Sequence, residues 1–374
     1  LNTSNNPLLE ELWLGQNNIT ALDLSNNSNL IGLEIHQNPI TSIDFSKNLN
    51  LERLWAMEAQ LTGLDLSNNP ALTHLRVQGN LELSYLNVRN GNNANMDNFY
   101  VSVTPKLSCI TTDAVVHANM TAFSDGRLNE DCGMVYIPDE NFEQALIDLG
   151  YDNAPINGSV PTANISEVTL LEVSDKNISS LDGIEAFTAL NYLVCPDNQL
   201  TSLDVTNNAA LIQLNCSGNQ LIFLDVSQNT TLTDLICNTN QLTSLNISQN
   251  TALTDLACVD NQLTSLDLSN NAALTYLELQ TNQLTSLDVS QNTNLTFLNC
   301  INNQLTSLDV SNNTALTYLT CRFNQLTSLN MSNNTALTAL DCINNPLESL
   351  DVRNGNNTNF NLFFSTFNPD LICI

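Results

Sequence analysis

The sequence predicts a β-rich solenoid of leucine-rich repeats, with 21-residue units, a parallel concave sheet and one short capping helix between two modules. Three observations predict it. Leu190, Leu211, Leu232, Leu253, Leu274, Leu295, Leu316 and Leu337 fall on every twenty-first position without a slip, as do Leu9, Leu30, Leu51 and Leu72. Each unit reads LxxLxLxxNxLxxLDLxxNxx, in which apolar positions alternate inward and the residues between them outward, the period of a strand. Finally, 42% of the chain is hydrophobic and only 13% charged, enough leucine for a continuous core shared by stacked units, none of which can bury its apolar edge alone.

The ninth position carries Asn198, Asn219, Asn240, Asn261, Asn282, Asn303, Asn324 and Asn345. An irregular bend stacked on itself must satisfy its backbone donors and acceptors, and an inward asparagine amide can do so. The column therefore reads as structural.

The chain starts inside a unit, since Leu1 holds the place of Leu22. The segment LNVRNGNNANMDNFYVSVTPKLSCI (86–110) aligns without gaps to LDVRNGNNTNFNLFFSTFNPDLICI (350–374), and about half of the aligned pairs are identical. The expectation is a fragment of a longer tandem chain. Residues 1–133 are then the end of a first array with its C-terminal cap, and 134–374 a second module: an N-terminal cap (134–167), repeats (168–349) and a truncated C-terminal cap (350–374). Within the cap, Asp139 serves as N-cap of a helix near 139–149, with Phe142, Leu146 and Leu149 on one face and Gly150 ending it. Residues 151–166 read as a loop, and 178–190 as an atypical first repeat.

The combination IPDENFEQALIDLGYD, VSDKNISSLDGIEAFTALNYL, repeated LTSLDVSNNTALTYLxC and LDVRNGNNTNF resembles the short leucine-rich-repeat modules of secreted Bacteroidetes and flavobacterial surface proteins, and is distantly similar to the internalins. The resemblance covers almost the whole chain. It implies an extracellular or cell-surface protein acting in adhesion or partner binding, often exported by the type IX route.

Composition narrows the partners. Thirty-eight acidic against nine basic residues give a net charge of −29, which disfavours nucleic acid and acidic partners generally. No 18-residue apolar stretch is present to span a membrane.

Cys195, Cys216, Cys237, Cys258, Cys300, Cys321 and Cys342 share the sixth position with Leu279 and, in the first module, Leu14, Ile35, Ala56 and Val77. Exchange with aliphatic residues treats the thiol as a small hydrophobe. Rungs about 4.8 Å apart with parallel Cβ vectors miss the ~3.8 Å Cβ separation of a disulfide. The alternative, a metal or redox ladder, has no His in its column. Cys109 and Cys132 flank a cap hairpin outside the repeat and suit a disulfide in an oxidising compartment; Cys373 matches Cys109.

The fifteenth position carries Asp204, Asp225, Asp267, Asp288, Asp309 and Asp351, with Asn246 and Asn330 interspersed, and Asp23, Asp44 and Asp65 in the first module. Each carboxylate can accept from nearby amides and hydroxyls at its turn, which explains why Asn substitutes. Calcium between adjacent Asp residues is the sharper reading, and the ladder alone does not supply six to eight oxygens. No cofactor is otherwise implied.

The half-unit LTSLDVSNNTA scarcely varies, whereas positions three, five, seven and eight of LxxLxCxxNQ vary widely. Outward positions on the concave sheet are where repeat proteins place ligand contacts. In the first module they hold Glu11, Trp13, Glu34, His36, Arg53, Trp55, Glu58, His74 and Arg76. Trp13, Glu34, Trp55 and Arg76 form one column, with the indoles two rungs or roughly 10 Å apart. Trp and Arg are common interface anchors; the competing reading is a cation–π cover over the sheet. The second module has Tyr276, Phe297 and Tyr318 on consecutive rungs, beside Asp234, Asp255, Glu278, Arg322 and Phe323; here sheet stacking competes equally with binding.

No phosphate loop, nucleophile elbow or HExxH is present, so an enzyme is not expected. The expected function is recognition of a protein or glycan ligand on the concave face. The alternative is a structural unit of a giant multi-module fibre joined end to end.

Overall fold

In a computed structural model the chain is a leucine-rich-repeat solenoid; the structure describes residues 3–124, 127–129 and 132–372. Leu1 and Cys373 lie outside the described residues. The chain divides into two compact units, Leu1–Ile165 and Ser166–Ile374.

Each coil contributes one three-residue strand at positions three to five. In the second unit ten such strands pair in parallel, from Leu170–Glu172 to Leu362–Phe364. From Tyr192–Val194 to Ala339–Asp341 the pairing register advances by the repeat length, as in Tyr192↔Gln213 and Gln213↔Asp234. In the first unit five strands pair likewise, Glu11–Trp13, Gly32–Glu34, Arg53–Trp55, His74–Arg76 and Asn98–Tyr100. The leucines at positions one, four and eleven point into the coil and are almost wholly buried, Leu211, Leu214 and Leu221 at 0% exposure. Each contributes roughly 1.5–3 kcal/mol relative to exposure.

Two asparagine columns close the coil, one more than the sequence suggested. At position nine, Asn240 Nδ2 donates to the carbonyls of Cys216 (3.0 Å) and Cys237 (3.2 Å), while its Oδ1 accepts from Leu221 N (3.0 Å). At position nineteen, Asn250 Nδ2 donates to the carbonyls of Val226 (2.9 Å) and Asn229 (2.8 Å). One amide thus serves two rungs, and each buried backbone group it satisfies would cost about 1–3 kcal/mol unpaired. The residue before the position-nine asparagine is left-handed in every regular unit, including Thr239, Thr281 and Phe323 with φ of 52°, 57° and 56°. The side chain varies there while the backbone does not.

The cap segments differ in part from expectation. Residues between Cys109 and Cys132 do not make a hairpin. They form the helix Ala118–Phe123 between Ile110–Thr111 and Leu128–Asn129, two strands that pair in parallel, and Cys109 and Cys132 are bridged with a Cα–Cα distance of 5.8 Å. The helix Glu140–Asp148 is capped by Asp139, whose Oδ1 accepts from Asn141 N and Phe142 N at 3.0 Å. Phe142 and Leu146 are buried, but Leu149 is 44% exposed, and Glu143 is buried in its place. Burial pushes the Glu143 carboxyl above its usual range, and the amides of Asn157 (2.6 Å) and Gly158 (2.7 Å) offset that by donating to it. The stretch read as a loop contains the strand Ser159–Pro161, antiparallel to Met134–Tyr136, and the helix Thr162–Ile165. This cap segment, grouped by sequence with the second module, lies in the first compact unit. Tyr136 stacks on Tyr85 at 5.3 Å, over Gly63, where a Cβ would come within 2.4 Å of the ring.

The seven repeat cysteines are free and buried. Burial drives the thiols of Cys195, Cys216, Cys300, Cys321 and Cys342 upward, to about 12 for Cys300 and Cys342, so these are protonated at neutral pH and poor thiolate ligands or nucleophiles. The position-fifteen carboxylates face their own turns: Asp267, Asp288 and Asp309 each accept from the backbone amide two residues on at 2.9 Å. Asn246 and Asn330 make the same bond.

Three outcomes are expected. Hydrogen bonds from Ser290 hold the Asp288 carboxyl below its usual range; its contribution is present above about pH 4 and is lost as pH falls through its folded value. Asp288→Asn should therefore leave thermal unfolding unchanged at pH 7 and show a smaller drop in Tm between pH 4 and 2, measured by circular dichroism. Chelation with EDTA should shift the Tm by less than about 1 °C, because the turn already uses the carboxylates as acceptors. Ellman's reagent should label none of the seven repeat thiols in the native chain and all of them in guanidinium, read by absorbance.

Candidate functional site

The variable outward positions of the first unit converge on one side of its five-stranded sheet. Pairing aligns Trp13, Glu34, Trp55, Arg76 and Tyr100 in one column and Glu11, Gly32, Arg53, His74 and Asn98 in the next. Alternation along each strand sends the central Leu33, Leu54 and Leu75 into the core and leaves their neighbours outside.

The indoles are closer than two rungs of backbone would set them. Trp13 and Trp55 lean together across the rung of Glu34, with ring centroids 5.1 Å apart and planes tilted by 58°, not the roughly 10 Å expected from rung spacing. Trp13 stays 52% exposed. Arg76 lies over Trp55 at 5.5 Å and over Tyr100 at 5.3 Å, and its Nε donates to Asn98 Oδ1 at 3.1 Å. The cation–π cover weighed from sequence is thus present at Arg76, while Trp13 extends beyond it.

Other ionisable side chains of the face also have partners nearby. Arg53 reaches across a rung to Glu11, His36 Nδ1 lies 2.6 Å from Glu34 Oε1, and His74 Nε2 lies 3.5 Å from Asp97 Oδ1. Two glycines make room: a Cβ on Gly32 would meet the Glu11 carboxylate at 2.1 Å, and one on Gly15 would meet the His36 ring at 2.1 Å. Glu11 Oε2, Arg53 Nε, Trp55 Nε1 and Gln78 Oε1 are shielded yet make no hydrogen bond among the described residues, leaving polar capacity unused on this face. Glu10, Ile31 and Glu52 line a shallow groove beside it.

Sequence reasoning missed Tyr100, Gly15 and Gly32. Tyr100 falls in the cap motif, so it was not counted as a fifth rung, although Asn98-Phe99-Tyr100 keeps the outward-inward-outward pattern. The glycines carry no side chain to draw attention, and their use shows only against the neighbouring coil.

The second unit brings together Tyr276, Phe297 and Tyr318. Their rings stack at 4.4 and 4.7 Å with planes within 11° and 7°, so ring faces cover one another. Burial and a hydrogen bond with Glu278 push the Tyr276 phenol up to about 12. Arg322 is set apart from this stack: its Nη1 lies 3.6 Å from Asp341 Oδ2 and its guanidinium 5.8 Å from the Phe323 ring. Elsewhere, Ile222 and Phe223 are 64% and 62% exposed at positions where the neighbouring repeats carry Thr and Ser. Among the described residues no three His, Cys, Asp or Glu side chains are grouped to hold a metal ion, and no helix is long and apolar enough to cross a membrane.

No family model and no curated protein matches the chain. Among solved structures it is similar to the functional domain of internalin InlJ from Listeria monocytogenes, described as including a cysteine ladder, at 32% identity over 64% of this chain and 62% of that one, with a TM-score of 0.43. The chain thus spans less than two thirds of that domain's length. It is also similar to internalin InlF of the same species, at 20% identity over 97% of this chain and 88% of that one, TM-score 0.48. Internalin C2 of Listeria monocytogenes aligns at 21% identity over 55% of this chain and 93% of its own, TM-score 0.51. That likeness is one of fold: a leucine-rich-repeat solenoid.

Proposed function

We propose that the chain is a non-catalytic recognition module whose first unit binds a protein partner on its concave face, with Trp13 and Trp55 as anchors. The observation that carries this reading is the paired indoles, one of them more than half exposed, on a face where shielded polar atoms still lack partners. Exposed Trp beside unspent polar groups is the composition of an interface core. Arg76 lies over Trp55, and Glu34, His36, Arg53 and His74 frame the indoles on the same face.

A protein fits better than a glycan. Sugars stack on free aromatic faces, whereas Tyr276, Phe297 and Tyr318 cover one another's faces, and Trp55 is flanked by Trp13 and Arg76. The second-unit stack therefore serves the sheet first, and Arg322 with Phe323 adds a minor contact beside it. An extracellular or cell-surface setting, as the resemblance to Bacteroidetes surface modules implies, accords with the Cys109–Cys132 bridge. A second reading, a unit of a multi-module fibre, is favoured by the recurrence of the cap motif at 86–110 and 350–374.

Trp13→Ala combined with Trp55→Ala should abolish capture of the partner that the wild-type chain retains on protein and glycan arrays. The Tm should fall by only a few degrees, since neither indole lies in the leucine core. Undiminished capture by the double variant would remove this face from the function.

A further inference from the structure

We infer that the concave face of the first unit takes a cationic side chain, Lys or Arg, of its protein partner against the exposed indole of Trp13. This rests on the recognition reading above and names the chemistry of the partner. The chain itself shows what its aromatic column accepts: the guanidinium of Arg76 is held between Trp55 at 5.5 Å and Tyr100 at 5.3 Å. Trp13 repeats the aromatic half of that arrangement further along the same column, half exposed and, among the described residues, with no cation over its ring. The negative face of an indole attracts a cation more strongly than the other aromatic rings do.

Charge argues the same way. Both arginines of the face are occupied, Arg53 by Glu11 and Arg76 by the two rings. Its histidines sit beside Glu34 and Asp97. Among the described residues of this face, an anionic ligand would find no arginine without a carboxylate or ring partner already. Glu10 and Glu52, both exposed, edge the neighbouring groove and make no ion pair among the described residues. With a net charge of −29 on the chain, a basic segment is drawn to the surface at long range and finds the indole and these carboxylates at contact.

The test uses the intact chain labelled with 5-fluorotryptophan, which gives two fluorine resonances because the chain has two tryptophans; Trp13→Phe assigns them. Acetyl-tetra-arginine amide should shift the Trp13 resonance saturably and the Trp55 resonance less. Glu10→Gln with Glu52→Gln should raise the apparent Kd roughly threefold, and acetyl-tetra-glutamate amide should move neither signal. A Trp13 resonance unmoved by tetra-arginine, or moved equally by tetra-glutamate, overturns the inference. A shift with cellotetraose and none with tetra-arginine overturns the cationic assignment while leaving the concave face as the binding surface. Array capture unaffected by the double tryptophan variant would instead remove the face itself.

Discussion

Every coil of this chain turns through two bends where the backbone leaves regular pairing inside a dry interior, and the satisfaction of those buried peptide groups is the constraint on which the rest depends. Leucine burial supplies the driving force, but leucine side chains cannot accept or donate a hydrogen bond. Both asparagine columns donate across adjacent rungs, as Asn250 does to Val226 and Asn229, and the position-nine column also accepts, as Asn240 does from Leu221 while donating to Cys216 and Cys237, so that each coil is completed by its neighbour. Where the first unit has Ala59 at the ninth position, Asn80 of the next coil accepts from both Ala59 N and Leu61 N. The column tolerates a gap because each asparagine bonds the rung before it as well as its own, as Asn80 does with Ala56 and Val77.

That division of labour explains which positions are free to vary. The core and the bends fix the leucines, the asparagines and the left-handed residue before each ninth position, and the aspartates finish the opposite turn with local hydrogen bonds. What remains is the outward side of the concave strands. The side chains there meet only one another and solvent, and the first unit fills them with tryptophan, arginine, histidine and glutamate. The second unit, built on the same scaffold, carries a self-stacking aromatic file at three consecutive third positions, Tyr276, Phe297 and Tyr318. Two faces of one architecture thus differ in whether their rings are exposed or mutually covered, and that difference, not the fold, is the ground for proposing the first as the recognition surface.

The buried cysteines illustrate how context sets chemistry. In sequence they form a regular file that invites a metal or redox interpretation. In the coil they occupy the site of Leu279 and Ile35, all of them buried, and burial drives thiols such as those of Cys195 and Cys300 upward. A group whose charged form is so penalised packs as a hydrophobe.

The sequence by itself determined the repeat length, the parallel register, the inward leucines and the membership of each outward column, because an unbroken leucine interval combined with side-chain alternation along a strand leaves no other assignment of faces. It also placed Trp13, Glu34, Trp55 and Arg76 in a single file. Only the tertiary structure decided how those side chains settle: the indoles lean to 5.1 Å, Arg76 turns toward Tyr100, Glu11 crosses Gly32 to reach Arg53, and residues 134–165 pack through Tyr136 onto Tyr85. Rung spacing sets where a Cα lies, whereas long side chains choose their rotamers by what neighbouring coils leave open. Such choices depend on contacts at least one whole unit apart along the chain, which no local pattern encodes.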